Sequence, residues 1–340
     1  MKDGFGVAGL FVFSCLLMHT FIMKLDYAAV IAKYPWIIAE NQDCILSPDS
    51  DGMLCGLFMS HYLDWKIRGF YDGKILLIAK GTEPRDCIFL DMEIYREGVK
   101  SVGQHMILFD KKSPPKGWSA FNQCVSPNNL HNYDFKNDFK SKYPLGIIHL
   151  LTAVIATRHP VEIKKDAISS LLYTDGTFKN QFNYPENCLE WLEFLGAAKP
   201  NNPLQKVFMD PHYSTYELML ALRALFADIK RIGGDKRGGD KIKISDSKGL
   251  PASHITKTGE LGESVRRQAE KFLLMLAERT GWHVKRDNWS WGPYEVRQFK
   301  KWSIKPGKAR YEKLLSQKPL SFAIISRGSI EYTLDTAREF

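Results

Sequence analysis

The stretch Cys44–Phe58, CILSPDSDGMLCGLF, sets two carboxylates, Asp49 and Asp51, one serine apart at the end of an apolar run, and Gly52 follows at once. Like charges that close repel, and each is costly to take out of water. The pattern therefore predicts a positive group between them. DCILSP, residues 43–48, reads as a short apolar strand, and GMLCGLFMSHYLDW, residues 52–65, carries apolar residues at helical spacing. Strand, acidic turn and helix together make the opening unit of an α/β fold.

Working outward, YAAVIAKY (27–34) reads as a short helix ended before Pro35. WKIRGFY (65–71) and KILLIA (74–79) read as strands about the turn Tyr71-Asp72-Gly73-Lys74, since Asp-Gly between apolar runs marks a chain reversal. DCIFLDMEIY (86–95) and VGQHMILFD (102–110) are two further strands of near-continuous apolar character, as expected of strands buried on both faces. A Pro-, Asn- and Lys-rich loop spans Ser113–Tyr143. LGIIHLLTAVIATR (145–158) and KDAISSLLYTDG (165–176) read as buried helices, and NCLEWLEFLGAA (187–198) and TYELMLALRALFADIKR (215–231) as amphipathic ones. The expected fold class is α/β, a mostly parallel sheet with flanking helices, joined to a smaller α+β C-terminal domain.

Texture changes at GGDKRGGDKIK, residues 233–243, the expected domain boundary. The division is then an apolar extension (1–22), a catalytic domain (23–200), a helical connector (201–232) and a basic, aromatic domain (233–340). In that last domain the stretch ending at Gly281 reads as an amphipathic helix, and SFAIISRGSIEYTL (321–334) as a hairpin. The charge is uneven in the same way. The chain carries +9 overall, but Ile229–Tyr311 holds 20 Lys/Arg against 9 Asp/Glu, so the remainder is slightly acidic. A basic block on a near-neutral body points to a polyanionic partner, nucleic acid before membrane.

Six cysteines without a C-x-x-C pair argue against a zinc knuckle or a disulfide framework and for reduced thiols in a cytoplasm. Phe5–Met23 is apolar and about bilayer length. It reads as an apolar helix packed on the body, as translation from a start upstream of Met23, or as an anchor. No stable membrane association is expected unless residues 5–23 anchor.

Three known patterns compete for SPDSDG. An EF-hand loop fails because its glycine comes too early and position 53 is Met. A haloacid-dehalogenase site fails because the chain has no Asp-Asp pair. The third fits: the stretch resembles motif I of the DHH phosphoesterase superfamily. The rest of that family's order follows in Asp91 after a strand, His105 after the next, the Pro/Asn-rich loop, and Asp175 after a buried helix. The resemblance covers roughly residues 43–195. It implies that Asp49, Asp51, Asp91, His105 and Asp175 converge at the strand ends and gather Mn²⁺ (or Mg²⁺). Oxygen ligands with one imidazole suit these ions, which can clamp a phosphodiester and activate water. Ile45 stands where small-molecule members have a histidine, as in the RecJ-like nuclease branch.

The third motif departs from the family, reading Gly103-Gln104-His105 in place of Asp-His-His. Matched by position, Gln104 takes the ligand place and His105 the phosphate place; alternatively a local shift makes His105 the ligand. The G-G-G-H segment of the family's second domain is also missing, although Arg327 in IISRGS and the RIGGDKRGGDK amides offer phosphate contacts. His61 and His149 read as packing residues and Asp72 as turn chemistry. Asn128 and Asn129 are turn residues or substrate contacts.

Residues 282–311 interleave six aromatics, Trp282, Trp289, Trp291, Tyr294, Phe299 and Trp302, and a closing Tyr311 with Lys and Arg. Either bases stack on those rings while cations track phosphates, with Lys300 and Trp302 as contacts, or the tryptophans form a small core. The expected activity is hydrolysis of single-stranded nucleic acid or short oligonucleotides. The alternatives are a binding protein on a catalytically decayed scaffold and a small-nucleotide phosphatase.

Overall fold

The computed structural model describes residues 24–210, 213–233, 239–336 and 340. The apolar stretch at 5–23 lies outside them, and among the described residues no helix is long and apolar enough to cross a membrane.

Strand β1 (Asp43–Leu46) is the centre of the molecule. Its residues alternate between two apolar cores: Cys44 and Leu46 join one, Ile45 the other. β2 (Lys66–Tyr71), β3 (Ile75–Ala79) and β4 (Ile88–Leu90) follow the same pleat. Ile75, Leu77, Ile88 and Leu90 face the first core, while Leu76, Ile78 and Phe89 face the second. Burial on both faces is why these runs are apolar without a break. With β5 (Ser101–Val102), β6 (Cys124–Val125) and β7 (Tyr294–Gln298) they form one sheet, ordered β6-β5-β4-β1-β2-β3-β7. The strands from β6 to β2 are parallel; β3 is antiparallel to β2 and to β7. A mostly parallel α/β sheet is therefore present, as expected. Asp72 closes the β2–β3 turn by accepting the Lys74 and Ile75 N–H groups, with Gly73 at φ 85°.

The sheet branches beside β1. The chain leaves β1 through the helix Ser50–Leu63 to β2 on one side, while β4 lies on the other. Such a switch point opens a crevice outside the carboxyl ends of the strands. β4 and β5 are shorter than their apolar runs because Asp91, at φ 60°, ends β4 and the chain leaves the sheet after Val102. Met106 and Ile107 are buried in a third cluster instead.

The second expected domain differs in extent. The break at Gly233 does not separate two cores: the helix Glu263–Thr280 buries Phe272, Leu273 and Leu276 in the main core, and β7 pairs with β3. An amphipathic helix needs a partner for its apolar stripe, and here that partner is the main body. Gly281, at φ 75°, closes that helix as the sequence indicates. A small antiparallel sheet, β8 (Lys300–Ile304), β10 (Ser329–Leu334) and β9 (Ser321–Ser326), follows in the order β8-β10-β9. With the helix Lys308–Ser316 it packs on Tyr95, Met106 and Phe121.

Candidate metal centre

Three adjacent parallel strands end in the expected acidic and polar residues: β1 before Asp49, β4 before Asp91 and β5 before Gly103-Gln104-His105. Asp49 is the N-cap of the helix Ser50–Leu63 and accepts the Gly52 N–H. Gly52 is obligatory here, because a Cβ on it would stand 2.1 Å from the Ser47 carbonyl oxygen. Asp51, one residue into the helix, is fully buried. Its oxygens accept the Ile147 N–H at 2.6 Å and the Ile148 N–H at 3.2 Å, so the carboxylate caps the helix Ile147–Ile155. Gly146 leaves room for it, since a Cβ there would lie 2.9 Å from Asp51 Oδ1.

Asp51, Asp91 and Asp175 each bring one oxygen to within 4.8 Å of the others. Among the described residues theirs is the one group of three or more acidic, His or Cys side chains so gathered. Asp175 reaches the group through a left-handed turn, φ 50°, followed by Gly176 at φ 64°. Asp49 and His105, expected in the same cluster, flank it. Ser47 Oγ links Asp49 to the group, 2.9 Å from Asp49 Oδ1 and 2.5 Å from Asp91 Oδ2. The other Asp91 oxygen, Oδ1, is buried without a hydrogen-bond partner among the described residues.

Burial and the charges of neighbouring carboxylates work against ionisation of Asp51 and Asp91, while Asp175 stands at the exposed rim of the group. Asp51 is pushed up to about 8 by burial and by the charges of Asp175 and Asp49, against the two helix N–H groups. Burial, Asp51 and Asp175 raise Asp91 well above the carboxylate range. Desolvation of its carboxyl against the cleft raises Asp175 to about 6, opposed by His105. Three carboxyls crowded at such a cost, with one oxygen orphaned, match the donor set of a hard divalent cation such as Mn²⁺ or Mg²⁺.

Gln104 and His105 take different parts. The Gln104 amide donates from Nε2 to Asp175, and its Oε1 is buried without a partner among the described residues. His105 turns toward Glu93, whose Oε2 lies 3.7 Å from Nδ1. Burial works against a charge on His105, but Glu93 and Asp175 outweigh it and push the ring up to about 9. The imidazole is 41% exposed and borders two cavities, of about 790 and 760 Å³, which share it with Asp175. The first adds Lys241 and Lys243 to the acids; the second adds Lys142 and Arg327.

Arg327, at the β9–β10 turn, is thus brought to the cleft. Asn128 is not: it is buried, donating to the Gln104 carbonyl and accepting the Tyr143 N–H, so it braces the turn instead of meeting substrate. Lys300 and Trp302 border a separate depression with Lys74 and Lys248. Of the six C-terminal aromatics, Trp282, Trp289, Tyr294 and Phe299 are core, and Trp302 alone is widely exposed, at 52%. The tryptophans of this block are mainly structural. His149 is wholly buried, as expected of a packing residue.

Sequence reasoning missed Ser47, Glu93 and Lys142. Glu93 had a signal, an acid inside an apolar run two residues after Asp91; Lys142 had none.

In comparisons with known proteins, no family model, no curated protein and no solved structure matches this chain.

Proposed function

We propose that this chain is a metal-dependent phosphodiesterase of DHH type that hydrolyses single-stranded nucleic acid or short oligonucleotides. One observation carries the reading. Asp51, Asp91 and Asp175, far apart in sequence, meet within 4.8 Å beside a buried carboxylate oxygen that lacks a partner.

A divalent cation held there supplies Lewis acidity and a more acidic water. The protein's own residues do the rest. Asp51, Asp91 and Asp175 would hold the ion, and Asp49 steadies Asp91 through Ser47. Lys241 and Lys142, on either side, draw in the phosphodiester. His105, oriented by Glu93, offers an N–H to a phosphate oxygen, and Arg327 offers a planar pair of donors. Two cavities meeting at Asp175 suit a strand that continues past the reacting phosphate better than a mononucleotide. Five described cysteines are free and buried, in keeping with a reducing cytoplasm.

A binding protein without activity is the second reading, favoured by the Gln104 amide already engaged on Asp175. End-labelled single strands incubated with Mn²⁺ separate the two. Cleavage by the wild type and its loss in Asp91→Ala support the enzyme. Binding of the label by both proteins, with cleavage by neither, leaves the second reading.

A further inference from the structure

Glu93 is 3% exposed, yet its carboxylate lies behind the cleft. One oxygen, Oε1, accepts two consecutive backbone N–H groups, those of His105 and of Met106, the latter at 2.8 Å. The other, Oε2, stands 3.7 Å from His105 Nδ1, a charge contact rather than a hydrogen bond. A buried carboxylate is costly unless such partners compensate it. Here they are the main chain and ring of one turn.

Gly103 completes the arrangement. A Cβ on it would lie 2.5 Å from Glu93 Cδ and 2.8 Å from Oε2. Its φ is not in the left-handed region, so the backbone does not require glycine there. The space does. The Glu93 carboxylate, from the segment after β4, fills that volume.

We propose that Glu93 is the positioning residue of this cleft, its carboxylate fixing the Gln104–His105 turn and the His105 ring from the place that a side chain at 103 would otherwise occupy. What the turn is positioned to do rests on the phosphodiesterase reading; the positioning itself does not. Glu93 holds the His105 and Met106 N–H groups, while Asn128 holds the Gln104 carbonyl, so the carboxylate fixes the half of the turn that carries the His105 ring. Glu93 and Gly103 are therefore one interdependent pair.

The test uses the full chain with four variants and one relocation. Glu93→Gln keeps the size and the acceptor oxygen but not the charge. It is expected to melt close to the wild type and to lower kcat by up to about 100-fold with little change in KM, the scale of a site group held about 1 Å out of place. Moving the carboxylate, Glu93→Ala with Gly103→Asp, is expected to restore most of that loss. Gly103→Ala and Glu93→Ala are each expected to lower the melting temperature, and the double variant to lower it by less than the sum of the two, a coupling that arises if the two share one space. The His105 ring ¹⁵N shifts, read in EDTA without substrate, are expected to move in Glu93→Gln and to return on relocation. Wild-type kcat and unchanged shifts in Glu93→Gln overturn the proposal, as does a Gly103→Ala that costs nothing. A wild type that cleaves no phosphodiester overturns the enzymatic reading instead, and the melting cycle and the shifts then decide this one.

Discussion

The Asp51 carboxylate accepts the Ile147 N–H at 2.6 Å across 96 residues of sequence. That contact ties the acidic turn after β1 to the helix that begins at Ile147. It also makes one side chain serve both as a helix cap and as a member of the acidic group, so fold and site fail or survive together here.

Gly52→Ala follows from the same turn. The new methyl would meet the Ser47 carbonyl oxygen at 2.1 Å, a backbone atom that cannot move without displacing β1. The expected cost is more than about 3 kcal/mol, beyond the usual range of single substitutions, read as a lowered urea midpoint. A midpoint equal to that of the wild type contradicts this account of the turn.

Asp91→Asn is expected to stabilise the protein in EDTA. It fixes at every pH the neutral form that burial, Asp51 and Asp175 already favour, and Ser47 can still donate to the amide oxygen. The same change should abolish stabilisation by Mn²⁺, which at about 100 times its Kd adds about 2.7 kcal/mol to a protein that binds it. Thermal melts with and without Mn²⁺ check both halves. A variant less stable than wild type in EDTA, yet still raised by Mn²⁺, refutes the assignment of Asp91.

The pH dependence has a definite sign. The fold pushes Asp51 up to about 8 from the ordinary 3.8, and Asp175 up to about 6. Between those values the folded state holds more protons than the unfolded one, so the stability these groups contribute is present at low pH and lost as pH rises. His105, raised from 6.5 to about 9, acts in the same direction. In EDTA the urea midpoint should fall across the window from 3.8 to about 8. Saturating Mn²⁺ should flatten or reverse the trend, because under the proposed assignment the deprotonated carboxylates would be its ligands. A metal-free midpoint that climbs through the window would count against the crowded-acid geometry.

Trp289 and Trp302 are expected to part company. Trp289→Ala empties a core position and should cost about 3–5 kcal/mol, whereas Trp302→Ala, on the surface, should stay within about 0.5 kcal/mol. If Trp302 stacks a base, its loss weakens single-strand binding by about 1–3 kcal/mol, which fluorescence anisotropy with a labelled oligonucleotide measures. Equal affinities for wild type and Trp302→Ala remove this face from the binding surface.

What the sequence displayed and what it concealed divide along physical lines. The strand at Asp43, the Asp72-Gly73 reversal and the helix stop at Gly281 rest on local chemistry, so a short window shows them. Asp51, Asp91 and Asp175 were legible because each follows an apolar element whose end is easily recognised. The pairing of β7 with β3 joins residues about two-thirds of the chain apart and has no local signature. Nor does composition tell a stacking tryptophan from a core one: Trp289 and Trp302 sit in equally basic surroundings, and only the fold buries the first. His105 was drawn away from the acidic group by Glu93, a partner visible as an acid in an apolar run but meaningful only beside a glycine at 103.

The most direct test is a crystal of the protein soaked in Mn²⁺ and measured at the manganese absorption edge. The account predicts an anomalous peak within bonding distance of carboxylate oxygens of Asp51, Asp91 and Asp175, absent from Asp91→Ala. A cleft without a peak at saturating Mn²⁺, or a peak bound only by residues elsewhere, would contradict it.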